Sequence, residues 1–420
     1  MSPAAPSRRP SRSRQALRRS LAALLLTSAL ASPAFAAPKT GNPIADAFLA
    51  SLEARGLENI QVGAVTGGPG TADISTLTGE LKPEPPKPPE PSADGTPAPQ
   101  PPAPPPPQKV TVEHVLIDKA TADGGRVKAD VLDLKGLSLV DGEDTVTIGE
   151  ITADGVEIPS AADIAAAPNS TKGQATYKHA QLTDILIRGK DNYQVPIRSI
   201  TMETDDIANG VPHKVSLAIN DVSVNVANMP DDDTRKQLTR LGYTSLDLSL
   251  QASGTWDEAK ATANLDTFQF GGPGIGTLTL TGSFGGVTAD AIAKLESAKT
   301  PDETTQVLQS LTVNRLDLSF KNDTLVERLL DAQAKDQGTT PATIVEQLSA
   351  ALPQLLAPIS DVTFRNKVTD AGTNFLKAPK SITATVAPPK PLPFAQVLGT
   401  AMMAPQTLPD VLNADVKANQ

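Results

Sequence analysis

Residues 215–226 read VSLAINDVSVNV. Val215, Leu217 and Ile219 alternate with Ser, Ala and Asn, and Val222, Val224 and Val226 then repeat the pattern after Asn220-Asp221. Successive side chains of a strand point to opposite faces, so an apolar residue at every second position marks a strand with one dry and one wet face. The same period recurs at Leu246, Leu248 and Leu250, at Leu278 and Leu280 among threonines, and at Val146 and Ile148 between Thr145 and Thr147. Asp123-Gly124, Asp141-Gly142, Asp154-Gly155 and Asn209-Gly210 supply hairpin turns between such runs. VKADVLDLKGLSLV (127–140), DTVTIGEITADGVEI (144–158) and YQVPIRSITMETDDI (193–207) restate one hairpin theme without a fixed period. The expected fold is mainly β (α+β): a large, antiparallel, one-sided sheet of repeated hairpins with a few short amphipathic helices.

The helices are placed by their caps. Asn42 caps a helix that starts on Pro43, carries Ile44, Ala47, Phe48 and Leu52 on one side, and ends at Gly56. DDDTRKQLTRLG (231–242) interrupts the strands with Asp231 or Asp232 as cap. A helix pair spans Thr288 to Leu311, and a strand follows over Val313–Phe320. Asp323 is expected to cap the next helix, which runs to Gly338, and Thr340-Pro341 starts another that stops near Pro353. Strands are expected around Asp361–Phe364 and Ser381–Val386, then a short helix near Phe394–Met403.

Working outward to the ends gives the compartment. Residues 1–36 combine six arginines, an apolar stretch from Leu21 to Leu30 and a small-x-small site at Ala34-Phe35-Ala36, the build of a cleaved export signal. Arg18-Arg19 resembles a twin-arginine signal, but a general secretory signal fits better. Without that segment the chain keeps 31 basic against 47 acidic groups, a net charge of −16. A field of that sign opposes nucleic acid and anionic membrane surfaces. No second apolar run reaches the ~18 residues that a membrane helix needs. The expected location is the periplasm.

Fourteen of the 38 prolines lie between Pro83 and Pro107, inside KPEPPKPPEPSADGTPAPQPPAPPPPQ. Such a tract cannot donate ladder hydrogen bonds and favours polyproline II. It serves either as a spacer or as an insertion in a long hairpin loop, because alternation resumes on both sides of it. The expected organisation is a cleaved signal (1–36), a short helix with first strands (37–81), the proline-rich insertion or linker (82–108), a β-meander (109–286), and a helix pair, strands and C-terminal helices that complete the same β-rich body (287–420).

LGYTSLDLSLQASGTWDEAKATANLDTFQFGGPGIGTLTLTGSFGGV (241–287), followed by LTVNRLDLSFKNDTLVERLLDAQAKDQGTT (311–340), carries a resemblance. The order is Gly-Tyr strand, turn, strand, glycine turn, strand, helix, strand and Asn-Asp-x-Leu helix. Over roughly residues 231–420 it resembles exported bacterial envelope proteins of unknown function, loosely the YdgA-like and AsmA-like β-rich proteins. The resemblance implies a periplasmic β-rich body in contact with lipid or outer-envelope components, and it brings no catalytic motif.

The search for chemistry is nearly empty. There is no cysteine, so disulfides, thiolate metal sites and cysteine nucleophiles are excluded. No GxSxG, SxxK, HExxH or Walker loop occurs. His114, His179 and His213 are scattered beside or within strands. Asp231-Asp232-Asp233 reads as a helix cap and Asp141–Asp144 as a turn, and neither has EF-hand spacing. Gly271–Gly276 leads from one strand into another, whereas a phosphate cradle leads into a helix. Asn169-Ser170-Thr171 and Asn322-Asp323-Thr324 match glycosylation sequons, which carry little weight if the cell is bacterial. No catalytic, cofactor-binding or metal residue is assigned, and no cofactor is expected. The expected function is that of a non-enzymatic envelope protein holding lipid or another apolar ligand on a sheet face. The alternative is an interaction module that uses the proline-rich segment as spacer or docking arm for an envelope protein.

Overall fold

Asn42 turns the chain into its first helix, Pro43–Ala54: its side-chain oxygen accepts from the backbone N–H groups of Ile44 and Ala45. In the computed structural model, which describes residues 37–81, 106–166, 173–190, 193–208, 211–298 and 300–420, the chain divides into two compact units, Met1–Gln194 and Val195–Gln420. That boundary falls inside the 109–286 stretch. Strand accounts for 46% and helix for 32% of the described residues, so the protein is mainly β. The signal-like segment, the body of the proline-rich tract, the Asn209-Gly210 turn and the Asn169 sequon lie outside the described residues.

Unit 1 is built on strands β1 (Leu57–Val62), β2 (Val65–Thr66), β3 (Ala72–Ile74), β4 (Leu77–Leu81), β5 (Gln108–Val112), β6 (His114–Asp123), β7 (Arg126–Asp141), β8 (Asp144–Ile158) and β9 (His179–Arg188). All pairings are antiparallel. β7 is the spine: it pairs with β8 along its length, with β6 through its first half and with β5 near its end. β8 pairs onward to β9. β4 and β5, which flank the proline-rich tract, pair directly from Leu77↔Val112 to Leu81↔Gln108. The tract therefore leaves and returns on adjacent strands.

Helix Pro43–Ala54 packs against β1, β3, β6 and β7. It buries Ile44, Phe48 and Leu49 with Ile74, Val115, Ile117 and Val127 of the strands. Each large side chain removed from water in this way is worth about 1.5–3 kcal/mol, so this face is closed by its own helix.

One span of unit 1 divides in two, and one expected hairpin turn is not made. Ile74–Leu81 is two strands, because Ser75-Thr76 breaks it and β3 pairs with β6 while β4 pairs with β1 and β5. Asp154-Gly155 makes no turn. It lies within β8, where Gly155 takes φ +61°, and pairing with β7 resumes at once on both sides. A left-handed residue inside a strand is a kink in the ladder, and glycine adopts it without a Cβ clash.

An ionic cluster fixes the short helix Ala161–Ala166. Arg126 donates to Glu157 Oε1 at 2.6 Å and to Asp163 Oδ2 at 2.8 Å. The Arg126 hydrogen bond holds the Glu157 carboxyl below its usual range. Asp163 is lowered as well, first by the Ser160 hydroxyl and backbone N–H and then by Arg126. Both groups favour ionisation in the folded state, so their stabilisation is complete above the ordinary carboxylate pKa of about 4 and fades as pH falls through the lower folded values. Melting curves of unit 1 between about pH 5 and pH 3 should show a falling Tm, and Arg126→Ala should flatten that slope. Because all three groups are partly exposed, the effect is modest.

Unit 2 continues with β10 (Gln194–Ala208), β11 (Val211–Asn225), β12 (Ser245–Asp257), β13 (Thr262–Gly272), β14 (Gly276–Gly285), β15 (Thr312–Asn322), β16 (Ser381–Val386), β17 (Leu392–Pro393) and β18 (Ala414–Ala418). From β10 to β16 each strand pairs with the next. β18 then pairs beyond β16, and β17 joins the start of β15.

Helices fill the longer connections. Asp231 caps Asp232–Arg240 through Thr234 N. Ala289–Ser297 and Pro301–Gln309 join β14 to β15, and the second is held by a Thr300/Glu303 capping box. Leu325–Gln337, Pro341–Leu355 and Val362–Lys377 join β15 to β16. The strand expected around Asp361–Phe364 is thus the start of a 16-residue helix, with Asp361 accepting from Thr363 N. Pro353 lies inside its helix, which runs on to Leu355.

Phe394–Met403 forms a helix with no buried residue. A Cβ added at its Gly399 meets nothing within 4 Å. Gly399→Ala should therefore raise stability by about 0.5–1 kcal/mol through the unfolded chain alone, which a urea titration with unchanged m would register.

Candidate functional site

Strand register in unit 2 sorts side chains into faces without ambiguity, because directly paired residues share a side. Ile219 pairs with Leu250, Leu250 with Phe270, Phe270 with Leu278, Leu278 with Phe320, and Phe320 with Ile382. Two residues along, Leu217, Ala252, Phe268, Leu280, Leu318 and Ala384 form a second apolar row. Bulges keep the face in phase. At Asp221, with φ +52°, the alternation slips by one residue, so that Val222 returns opposite Leu248 on the dry side. Asp266 does the same between Leu265 and Phe268.

The opposite side of the same strands carries Ala218, Gln251, Gln269, Thr279, Ser319 and Thr383 in one lateral row. Gln269 there donates to Thr279 Oγ1, and Thr385 donates to Asp317 Oδ1 at 2.8 Å. The sheet is amphipathic across six strands, about 24 Å at ~4.8 Å per strand.

The apolar face is only partly covered. Helix Val362–Lys377 closes it toward β16 and β18, with Phe375 edge-on to Phe320 at 6.4 Å. Helices Leu325–Gln337 and Pro341–Leu355 share a small core of Leu330, Ala334 and Ile344. Elsewhere large apolar side chains remain open to water: Val215 45%, Phe270 43%, Leu318 43% and Leu278 37% exposed. Contiguous exposed apolar surface is unusual on soluble proteins, which makes this patch the candidate site.

Trp256, the single tryptophan, stands on the same side toward the far end of the strands. Its indole N–H donates to Val287 O at 2.7 Å, and the His213 ring meets it edge-on at 5.2 Å.

Beside the face a polar clamp holds the β13–β14 turn. The Tyr243 hydroxyl donates to Gly274 O at 2.6 Å and Thr324 Oγ1 donates to the same oxygen at 2.9 Å, while Asp323 Oδ2 accepts from Gly274 N at 2.8 Å. Arg328 lies over the Tyr243 ring, 4.4 Å from its centre, and donates to the carbonyls of Leu241 and Gly242. Burial pushes the Tyr243 hydroxyl pKa upward. Asp323 thus serves the glycine turn and does not cap the helix. Thr324 occupies the cap position with φ +79° and no capping side-chain bond, and Asn322 Oδ1 accepts from Val326 N instead. Gly271–Gly276 is a turn between two strands.

The histidines do not converge. His114 pairs with Asp73 and His213 with Asp206, in different units, and His179 begins β9. Among the described residues no group of three or more His, Asp or Glu side chains is placed to share a metal ion. No helix of the described residues is long and apolar enough to cross a membrane.

Sequence alternation marks Leu217, Ile219, Leu250, Leu278 and Leu280 of the face, but neither Phe268, Phe270, Leu318 and Phe320 nor which residues stay uncovered. That depends on where three connecting helices come to rest, and no local period encodes it. A protein-family model described only as "Uncharacterized protein" matches residues 269–419, about a third of the chain. No curated protein matches the sequence.

Proposed function

We propose that the chain is a non-enzymatic protein of the bacterial envelope, exported to the periplasm, that holds a lipid acyl chain against the apolar sheet face of unit 2. The observation that carries this reading is the run of Phe270, Leu278 and Leu318, each more than a third exposed, on the dry side of a sheet whose other side is Ser, Thr and Gln. Unit 1 offers the contrast, since its helix buries the corresponding apolar side chains.

Dimensions agree with an acyl ligand. A bilayer's hydrocarbon core of about 30 Å is two chains end to end, so one chain spans about 15 Å, within the ~24 Å row. Binding sites for such ligands are mostly apolar surface with few polar groups, which is the composition here. The acidic mature chain opposes adsorption to an anionic membrane surface, and that favours a carrier of single lipids over a surface-bound protein.

A second reading, the interaction module, draws on β4 and β5: they pair directly, so the two strands that flank the proline-rich tract are neighbours, and a polyproline segment between them serves as a docking arm.

Native mass spectrometry of the protein taken from its own periplasm without detergent tests the lipid reading. A bound mass that organic solvent extracts as lipid is the expected result. A clean unliganded mass, with no uptake of fatty acid or phospholipid added afterwards, would overturn it.

A further inference from the structure

Glu53 lies in the last turn of helix Pro43–Ala54, and its two carboxylate oxygens have unequal surroundings. Oε2 accepts from the backbone N–H of Ala37 at 2.8 Å. Oε1 is shut away from solvent with no hydrogen-bond partner among the described residues. A carboxylate oxygen left bare and buried is costly, and the C-terminal end of a helix adds an unfavourable dipole. One additional cationic donor would relieve both.

Ala37 is held beside Glu53 by a docked segment. Thr40 donates through both its N–H and its hydroxyl to Asp46 Oδ1 at 2.7 Å, and Asn42 Nδ2 donates to Thr71 O at 2.9 Å. The chain from 37 to 42 is thus laid back along its own helix, and its first atom meets Glu53. Ala37 is also the residue that follows the small-x-small site Ala34-Phe35-Ala36.

We infer that Glu53 is a built-in receptor for the α-ammonium group released when a signal peptidase cuts between Ala36 and Ala37, an inference that rests on the export reading above. In the cut, water adds across the peptide bond. Its hydroxyl goes to the Ala36 carbonyl carbon, the C–N bond breaks, and the proton goes to the Ala37 nitrogen, which takes one more from solvent at neutral pH. A single N–H donor becomes an NH3+ with three donors. One proton keeps the bond to Oε2, another serves Oε1, and the bonds become charge-assisted, about twice as strong as neutral ones. Processing therefore tightens the 37–42 segment onto its own helix, and the uncut chain has only the single neutral bond to Oε2.

Two measurements test this on the full mature chain. Mass spectrometry of the exported protein should show Ala37 as the first residue, and any other start overturns the inference together with the proposed cleavage. Chains beginning at Ala37, or at a Gly-Ser-Gly extension before it, are then melted with and without Glu53→Gln. The extension keeps the amide N–H but moves the charge away. The Ala37-first chain should melt roughly 2–4 °C higher than the extended one, and E53Q should erase that gap. A second readout is independent of stability: acylation of the α-amine by an N-hydroxysuccinimide ester should be several-fold slower than in E53Q. Equal melting of the two starts, or a gap that survives E53Q, would refute the Glu53 pairing while leaving the cleavage site standing.

Discussion

Gly272→Ala should cost unit 2 about 3–5 kcal/mol and lower its Tm by roughly 10 °C. A Cβ at this position would lie 1.8 Å from the carbonyl oxygen of Asp247 on β12. At its neighbour Gly271 the Cβ would lie 2.0 Å from Gly276 O on β14. Both obstacles are backbone atoms in hydrogen-bonded strands, so no side chain can rotate away and the ladder itself must shift. The displacement would pass into the clamp, because the turn that Gly272 enters is the one held at Gly274 by Tyr243, Asp323 and Thr324. Urea titration of Gly272→Ala against Gly399→Ala separates crowding from chain entropy, since both exchange glycine for alanine and only Gly399 has open space. Equal midpoints for the two variants would show that the close strand approach is not what the glycine provides.

The clamp gives physical content to the motif order in the second half of the sequence. Gly-Tyr (242–243), the glycine turn (271–276) and Asn-Asp-x-Leu (322–325) are far apart in the chain, yet they meet around one carbonyl oxygen. Their order was legible, but the reason for it was not, because a hydrogen bond between residues 31 and 50 positions apart leaves no local period. Alternation carries most of the sheet because its signal is strictly local: strands β11 to β15 repeat every second residue on either side of their bulges, and the register then follows from the turns. It failed where local chemistry is ambivalent. Asp154-Gly155 has hairpin composition but only kinks β8, and composition does not say whether a left-handed residue reverses a strand or bends it.

Helix Val362–Lys377 escapes a local reading for a related reason. Val362-Thr363-Phe364 looks extended, and Gly372-Thr373 dilutes the helical signal. Phe364, Val368, Ala371 and Phe375 nevertheless recur at helical spacing, with Ala371 buried and Phe375 set on Phe320. This was the helix that decided how much of the candidate face is closed. The openness of the site is therefore the least legible property of the chain, although alternation marks Leu217, Ile219, Leu250, Leu278 and Leu280 as one side of their strands.

Phe270→Glu and Leu278→Glu should each reduce acyl-ligand affinity at least 100-fold while leaving the fold intact. The two residues are direct cross-strand partners and among the most exposed of the face. In the free protein a glutamate there remains solvated, so the cost to folding is small. Under a bound chain it must give up water without a partner, and no cation stands among its apolar neighbours in the two rows. Losing a large apolar contact costs about 1.5–3 kcal/mol, and desolvating the carboxylate costs more. At 1.4 kcal/mol per factor of ten, the sum exceeds a factor of 100. Thr279→Glu is the matched control, because Thr279 lies between Leu278 and Leu280 on the same strand but faces the polar side, paired with Gln269 and Ser319. Titration with a fluorescent fatty acid, read through energy transfer from the single tryptophan at 256, reports affinity, and far-ultraviolet circular dichroism confirms the fold. A loss confined to the 270 and 278 variants places the ligand on the apolar face. Equal loss at position 279 would trace the effect to charge or strand stability, and undiminished binding in all three would move the ligand off this sheet altogether.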